Sequence, residues 1–228
     1  AVLTNAKTGT IIGSPKALPN GWEQRNKSLI GRGADLTDAV LKGEDLNGFD
    51  LTDTNLTNAD LTNANLTNAV LTNAKTGTII GSPKALPNGW VQINKSLISP
   101  GADLTDAVLT GEDLNGLDLT DSNLTNADLT NAVLTNAKTG TIVGSPKALP
   151  NGWEQRNKSL IGRGADLTDA VLKGEDLNGF DLTDTNLTNA DLTNANLTNA
   201  VLTNAKTGTI IGSPKALPNG WEQRNKSL

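Results

Sequence analysis

The two side chains that most often carry chemistry at neutral pH, His and Cys, are absent from this chain of 228 residues. A Ser or Thr nucleophile would have to take its base from Lys or a carboxylate. No thiolate or imidazole is present to ligate zinc or haem. Asp35, Asp45 and Asp50 could offer oxygens to Ca²⁺, which needs several at once, but no EF-hand or Gly-rich calcium loop surrounds them. Thr57, Thr62 and Thr67 present a repeated hydroxyl array of a kind that could order water, although Asp and Asn crowd the same faces. Every Lys has near-identical copies elsewhere, whereas a catalytic site needs one asymmetric pocket. The expectation is no enzyme, with no catalytic residue, metal site, cofactor or small-molecule substrate.

The remaining candidates are Trp22, Trp90, Trp153 and Trp221, the only large amphipathic side chains in the chain. Each could fold back over its own segment. Each could also make a lateral contact with another molecule, because an indole suits interfaces, or stack on a sugar ring. The net charge of −5 gives no basic footprint, so no nucleic-acid partner is expected. No apolar run reaches the length of a membrane span, so no membrane insertion is expected either. The sequence opens on Ala1 without a signal-peptide pattern.

What positions these residues is a repeat. Leu recurs at 36, 41, 46, 51, 56, 61, 66 and 71, then from 104 to 134, then from 167 to 202. A beat of five matches neither a helix nor a plain strand. It fits a short extended side followed by a corner. Leu and the Ala two places before it then face inward together, since side chains alternate along extended backbone. Asp or Asn before Leu, and Thr after it, face water. The closing Asn, Asp or Gly suits a tight turn. Aromatics are only 3% of the chain, so the interior must be narrow and built from Leu, Ala, Val and Ile. Leu36, Leu41, Leu46, Leu51, Leu56, Leu61, Leu66 and Leu71 are predicted to form a core stack in which leucines five apart become vertical neighbours.

Units such as Ala34-Asp35-Leu36-Thr37-Asp38, Ala59-Asp60-Leu61-Thr62-Asn63 and Ala64-Asn65-Leu66-Thr67-Asn68 resemble the pentapeptide-repeat family and cover roughly half of the chain. The resemblance implies an all-β fold, a right-handed quadrilateral β-helix with four pentapeptides per coil and looped insertions. Loops ending in Gly-Trp are similar to those of cyanobacterial-type members. Some inward slots depart from the pattern. Glu44, Phe49 and Thr54 stand where a small residue is expected, as do Glu112, Leu117 and Ser122, and Glu175, Phe180 and Thr185. An unpaired buried carboxylate is costly, so a distorted side or an outward swing toward Lys42 or Lys173 is expected at Glu44 and Glu175.

A longer period is laid over the short one. The segment that opens Lys-Thr-Gly-Thr-Ile and ends Pro-Asn-Gly-Trp starts at residues 7, 75, 138 and 206. Residues 1–97 match 132–228 except at Ile12/Val143, Val91/Glu222 and Ile93/Arg224. The predicted organisation is one continuous solenoid over 1–228. Pentapeptide blocks lie at 34–74, 102–137 and 165–205, and loop-bearing insertions at 6–33, 75–101, 138–164 and 206–228. Charge is banded. Block 34–74 holds seven acids and one Lys, whereas 75–101 holds three Lys and no acid. The sequence begins inside a unit and ends inside an insertion, from which end-to-end stacking of uncapped coils is expected. Together these features predict a non-catalytic structural protein that self-associates into a rod or filament, in an extracellular or cell-surface setting. The alternative is a soluble binding module that docks a protein partner through its loops or acidic faces.

Overall fold

The residue two places after each Leu explains the shape of a pentapeptide. Asp38, Asp53, Asn58, Asn63 and Asn68 all have φ between 56° and 60°. This is the left-handed region that Asn, Asp and Gly enter most readily. Each turn closes with an N–H three places after Leu donating to the Leu carbonyl, as in Ala39 to Leu36 at 3.0 Å. A corner therefore follows every extended side. The computed structural model describes residues 2–228, and it is all-β, with no helix among the described residues.

The chain divides into two compact units, Ala1–Val108 with Ser122–Ala127 and Leu109–Asp121 with Asp128–Leu228. In the first, parallel bridges join Asp35 to Asn55 to Lys75, Val40 to Asp60 to Ile80, Asp45 to Asn65 to Ala85, and Asp50 to Val70. Each step is 20 residues, so four pentapeptides complete one turn of a four-sided coil. The second unit repeats the pattern from Asp166 to Asn186 to Lys206 and from Val171 to Asp191 to Ile211. Backbone bonds run between coils at every side, for example Leu36 N–H to the Asn55 carbonyl at 2.8 Å and Asn55 N–H to the Ala34 carbonyl at 3.0 Å. This is a parallel ladder one residue wide on each side.

Leu36, Leu41, Leu46, Leu51, Leu56, Leu61, Leu66 and Leu71 are all buried in one cluster, with Ala34, Ala39, Ala59, Ala64 and Ala74 between them. The expected neighbour relation needs correction. Because the ladder steps by 20, Leu36 lies beneath Leu56 and Leu41 beneath Leu61, while leucines five apart occupy successive sides of one coil. Burying a Leu side chain contributes about 1.5–3 kcal/mol. The interior also tolerates polar residues that bond locally. Thr54 is buried, and its hydroxyl donates to the Leu51 carbonyl at 2.7 Å. Glu44 neither distorts its side nor pairs with Lys42. It is half-buried, and its carbonyl accepts from Asn65 N–H at 2.9 Å, as in a regular unit.

The insertions continue the coil and carry their extra residues as hairpins. Lys75 pairs with Asn55 before it and with Asp103 after it, an offset of 28 in place of 20. Ile80 and Ala85 keep the regular step onto Asp60 and Asn65. Eight extra residues are thus accommodated within one turn. They form antiparallel hairpins, β1 (Glu23–Arg25) with β2 (Ser28–Ile30), β3 (Val91–Ile93) with β4 (Ser96–Ile98), and β5 (Glu154–Arg156) with β6 (Ser159–Ile161). In the first unit both hairpins leave the square at the same point, three coils or about 14 Å apart at the usual strand spacing.

Candidate functional site

The hairpin coils carry the side chains that the pentapeptide coils lack, and their bases are tightly built. Thr76 is buried, and its hydroxyl donates to the Leu97 carbonyl at 2.7 Å. Ser96 donates to the Gly77 carbonyl at 2.8 Å. The strand end at 95–97 is further pinned by Ile79 N–H to the Lys95 carbonyl at 2.7 Å. Thr8 and Ser28, and Thr139 and Ser159, make the same crossed pair. Gly77 is closely packed, since a Cβ there would lie 3.0 Å from the Thr105 carbonyl oxygen and 3.2 Å from Ala107 Cβ. The tip is fastened as well. Gln24 donates to the Gly13 carbonyl at 3.0 Å, and Asn26 to the Val40 carbonyl of the next coil at 3.1 Å.

This frame seats the tryptophans. Trp22 and Trp90 pack half-buried against the core of the first unit, and Trp153 and Trp221 against that of the second. Trp22 lies flat on Gly31, where an added Cβ would come within 2.6 Å of the ring, and Trp153 lies on Gly162 in the same way. Ser99 holds the corresponding place after Trp90, so that seat is closed in the second hairpin. Trp22 and Trp153 are thus half-buried lids on their own coils.

Beside Trp22 sits a group that periodicity did not reveal. The Arg25 guanidinium lies 5.4 Å from the centre of the Phe49 ring and pairs with Glu23 at 2.7 Å. Arg156, Phe180 and Glu154 repeat this at 5.1 Å and 2.6 Å. A small cleft opens next to each, lined by Gly21, Glu23, Asn47, Gly48, Phe49 and Asp50 in the first unit. The corresponding positions in the second hairpin are Val91, Ile93 and Leu117, so all three partners change together from polar and aromatic to aliphatic. That correlated exchange was the available sequence signal. Phe49, read alone, shows only a large side chain where a small one is expected.

The acidic candidates behave differently from a metal site. Asp35, Asp45 and Asp50 stand on three different sides of the coil, and no cluster of three or more metal-ligating side chains occurs among the described residues. Their carboxylates accept from the backbone N–H two residues on, as Asp50 does from Thr52 at 3.0 Å. At Asp60 the Thr62 hydroxyl, then its N–H, hold the carboxyl below the ordinary carboxylate range, and Thr193 does the same for Asp191. Thr57 and Thr67 likewise donate to Asn55 and Asn65, at 2.6 and 2.7 Å. These hydroxyls are committed to their own turns and lie on successive sides, not on one flat array. Exposed apolar residues are interrupted too, with Asp60 between Val40 and Ile80 on one ladder. Ion pairs such as Lys75–Asp106 at 3.3 Å and Arg32–Asp53 at 3.2 Å tie hairpin coils to pentapeptide coils.

A solenoid with a 20-residue turn, Leu inward and Asn, Asp or Gly at each corner is the arrangement described by the family model for pentapeptide repeats. That model matches residues 33–73, 101–138 and 164–204, in 8 copies, which is more than half of the chain. The chain belongs to the pentapeptide-repeat family, and its fold is the right-handed quadrilateral β-helix, a non-catalytic fold. Among solved structures it is similar to HetL, a pentapeptide repeat protein involved in heterocyst differentiation regulation from the cyanobacterium Nostoc sp. strain PCC 7120. The identity is 29% over 84% of this chain and 69% of that one, with a TM-score of 0.23. It is also similar to full-length QnrB1, a plasmid-mediated fluoroquinolone resistance protein, at 15% identity over 83% of this chain and 79% of that one, with a TM-score of 0.21. No curated protein matches the sequence. No helix among the described residues is long and apolar enough to cross a membrane.

Proposed function

We propose that this protein is a structural element whose tandem coils build a rod or filament by self-association, with Trp-bearing hairpins recurring among them. The observation that carries the reading is redundancy. Residues 1–97 and 132–228 differ at only three positions. A site for one ligand needs one arrangement of groups, whereas a scaffold gains from every segment doing the same work. The interchangeability of the coils supports the same view, because the backbone ladder from Asp35 to Asn55 and from Asp166 to Asn186 has the same step and would accept a further coil of the same kind. An extracellular or cell-surface setting is part of the proposal, and fractionation of the native host tests it.

Negative-stain microscopy of the purified chain discriminates. Uniform thin filaments are expected, and short isolated rods at all concentrations would overturn the reading. Lateral bundling of filaments should weaken from low salt to about 0.5 M if the alternating charge bands align neighbours. The hairpin clefts beside Phe49 and Phe180 favour one other reading, a soluble module that docks a protein partner there. Isolated rods that capture such a partner, and lose it in Arg25→Ala with Arg156→Ala, would establish that reading instead.

A further inference from the structure

The dipeptide Asn-Gly occurs seven times, and the fold sorts the copies into two classes that differ in their hydrogen bonds. Asn47-Gly48, Asn115-Gly116 and Asn178-Gly179 form corners of pentapeptide coils, while Asn20-Gly21, Asn88-Gly89, Asn151-Gly152 and Asn219-Gly220 form the turns that lead into the Trp residues. All seven glycines have positive φ, from 71° to 85°, and none has an atom within 4 Å of a would-be Cβ. Each dipeptide also sits at the centre of the same four-residue turn. Phe49 N–H donates to the Leu46 carbonyl at 3.2 Å and Trp90 N–H to the Pro87 carbonyl at 3.2 Å. All seven Asn side chains are exposed.

The difference lies at the glycine nitrogen. Gly48 N–H donates to the Thr67 carbonyl at 2.9 Å, Gly116 to Thr135 at 3.0 Å and Gly179 to Thr198 at 2.9 Å, each a rung between coils. The N–H groups of Gly21, Gly89, Gly152 and Gly220 make no hydrogen bond among the described residues. The amides differ in step. Asn47 Oδ1 accepts from Asn68 at 3.3 Å, Asn115 from Asn136 at 3.2 Å and Asn178 from Asn199 at 3.2 Å. The four turn asparagines have no such partner among the described residues.

That nitrogen is the nucleophile of a self-modification. We propose that Asn20, Asn88, Asn151 and Asn219 are sites of spontaneous deamidation through a succinimide, and that the coil ladder protects Asn47, Asn115 and Asn178 from the same reaction. At Asn88 the Gly89 nitrogen gives its proton to solvent and attacks Cγ. The N–Cγ bond forms, the Cγ–Nδ2 bond breaks, and Nδ2 takes up a proton and leaves as ammonia. Water then opens the five-membered imide at either carbonyl, yielding aspartate or isoaspartate. The balance is one water consumed and one ammonia released, with no oxidant or reductant. At Asn115 the attacking nitrogen must first leave its rung, so the reaction waits on local opening of the coil. Deamidation places a carboxylate in a band that is otherwise positive, Lys75, Lys84 and Lys95 being the only charges of residues 75–101. Over time the reaction erodes the charge contrast between hairpin coils and pentapeptide coils.

The two classes can be read separately in the full chain. Trypsin releases Asn88 in the peptide Ala85–Lys95 and Asn115 in Ser96–Lys138, and both peptides are unique in the sequence. The native protein is aged at mildly alkaline pH, and each site is followed by mass spectrometry and by isoaspartyl methyltransferase labelling. Asn88 should convert at least about tenfold faster than Asn115, the gap set by opening of the rung. In urea strong enough to unfold the chain the two rates should converge. A native ratio near one overturns the proposal. So does a gap that persists in urea, since flanking sequence and not the fold would then be its source.

Discussion

A pentapeptide coil such as 35–54 and a hairpin coil such as 75–102 hold their neighbours through the same backbone ladder, yet they fill their interiors by different means. The first relies on Leu36, Leu41, Leu46 and Leu51, one per side. The second offers Thr76 and Gly81 in the leucine slots and makes up the volume with Ile79, Leu97 and Ile98, while Trp90 covers the side. Regular coils therefore depend on apolar volume. Hairpin coils depend on crossed hydroxyl-to-carbonyl bonds and a lid. The lesson is that the ladder sets the pitch and leaves the filling free, so a turn can be enlarged without disturbing the turns on either side.

The largest effect should come from the regular coil. Leu61→Ala removes volume from a fully buried site and is expected to cost about 2–5 kcal/mol in urea unfolding. Leu86→Ala in the hairpin coil, where the side chain is only half-buried, should cost less, and an equal loss would erase the distinction. Next comes the lid. Gly31→Ala forces Trp22 off its seat and should cost about 1–3 kcal/mol with a red shift in tryptophan emission. Ser99→Gly, beside Trp90, should leave both nearly unchanged. Thr76→Val strips a buried carbonyl of its donor, for a loss of about 1–3 kcal/mol, while Thr57→Val, at a half-buried position beside a corner, should fall below the lower figure. If the two threonines prove alike, the hairpin coil does not rest on its crossed bonds.

Smaller still is the Arg25–Phe49 pair. A double-mutant cycle with Arg25→Ala and Phe49→Ala should give a coupling of about 0.5–1 kcal/mol at this partly exposed site. The triple exchange Glu23→Val, Arg25→Ile and Phe49→Leu, which installs the residue types of Val91, Ile93 and Leu117, should then recover most of the loss. The smallest expected effect is acid sensitivity. The carboxyls of Asp60 and Asp191 are held below the ordinary range in the folded chain, chiefly by Thr62 and Thr193. A lowered folded value stabilises above the unfolded pKa and is lost as pH falls through the folded one. Stability should therefore decline only at strongly acid pH, and Thr62→Val should raise the Asp60 titration midpoint toward its ordinary value, read by carbon-detected NMR.

The regular coils are largely legible in the sequence. Leu every five residues, Ala two places before it and Asn, Asp or Gly at the corner each answer one physical demand, and the demand repeats. Vertical neighbours were misread because a beat of five counts sides, while stacking counts whole turns of 20. The hairpin coils were less legible for a definite reason. Their buried residues, Thr76, Ile79, Leu97 and Ile98, keep no common interval, and Gly81 stands where Leu would mark the side. Pro, Ser-Pro and Asn-Gly then look like punctuation between elements when they are corners within one. Glu44 stands in an inward slot by its place in the repeat, yet its backbone keeps the register of a regular unit.

The four-sided turn also governs how the gene can change length. An insertion or deletion of five codons returns every later side chain to an inward or outward setting it already had, merely advanced by one wall. A change that is not a multiple of five turns leucines out to water unless, like the eight extra residues of a hairpin coil, it leaves the square and returns in register. Block 102–137 is one pentapeptide shorter than blocks 34–74 and 165–205, a change of the permitted size. Slippage or unequal recombination between such similar stretches of coding sequence is thus mostly harmless to folding, and alleles of different repeat number are the natural variation to look for.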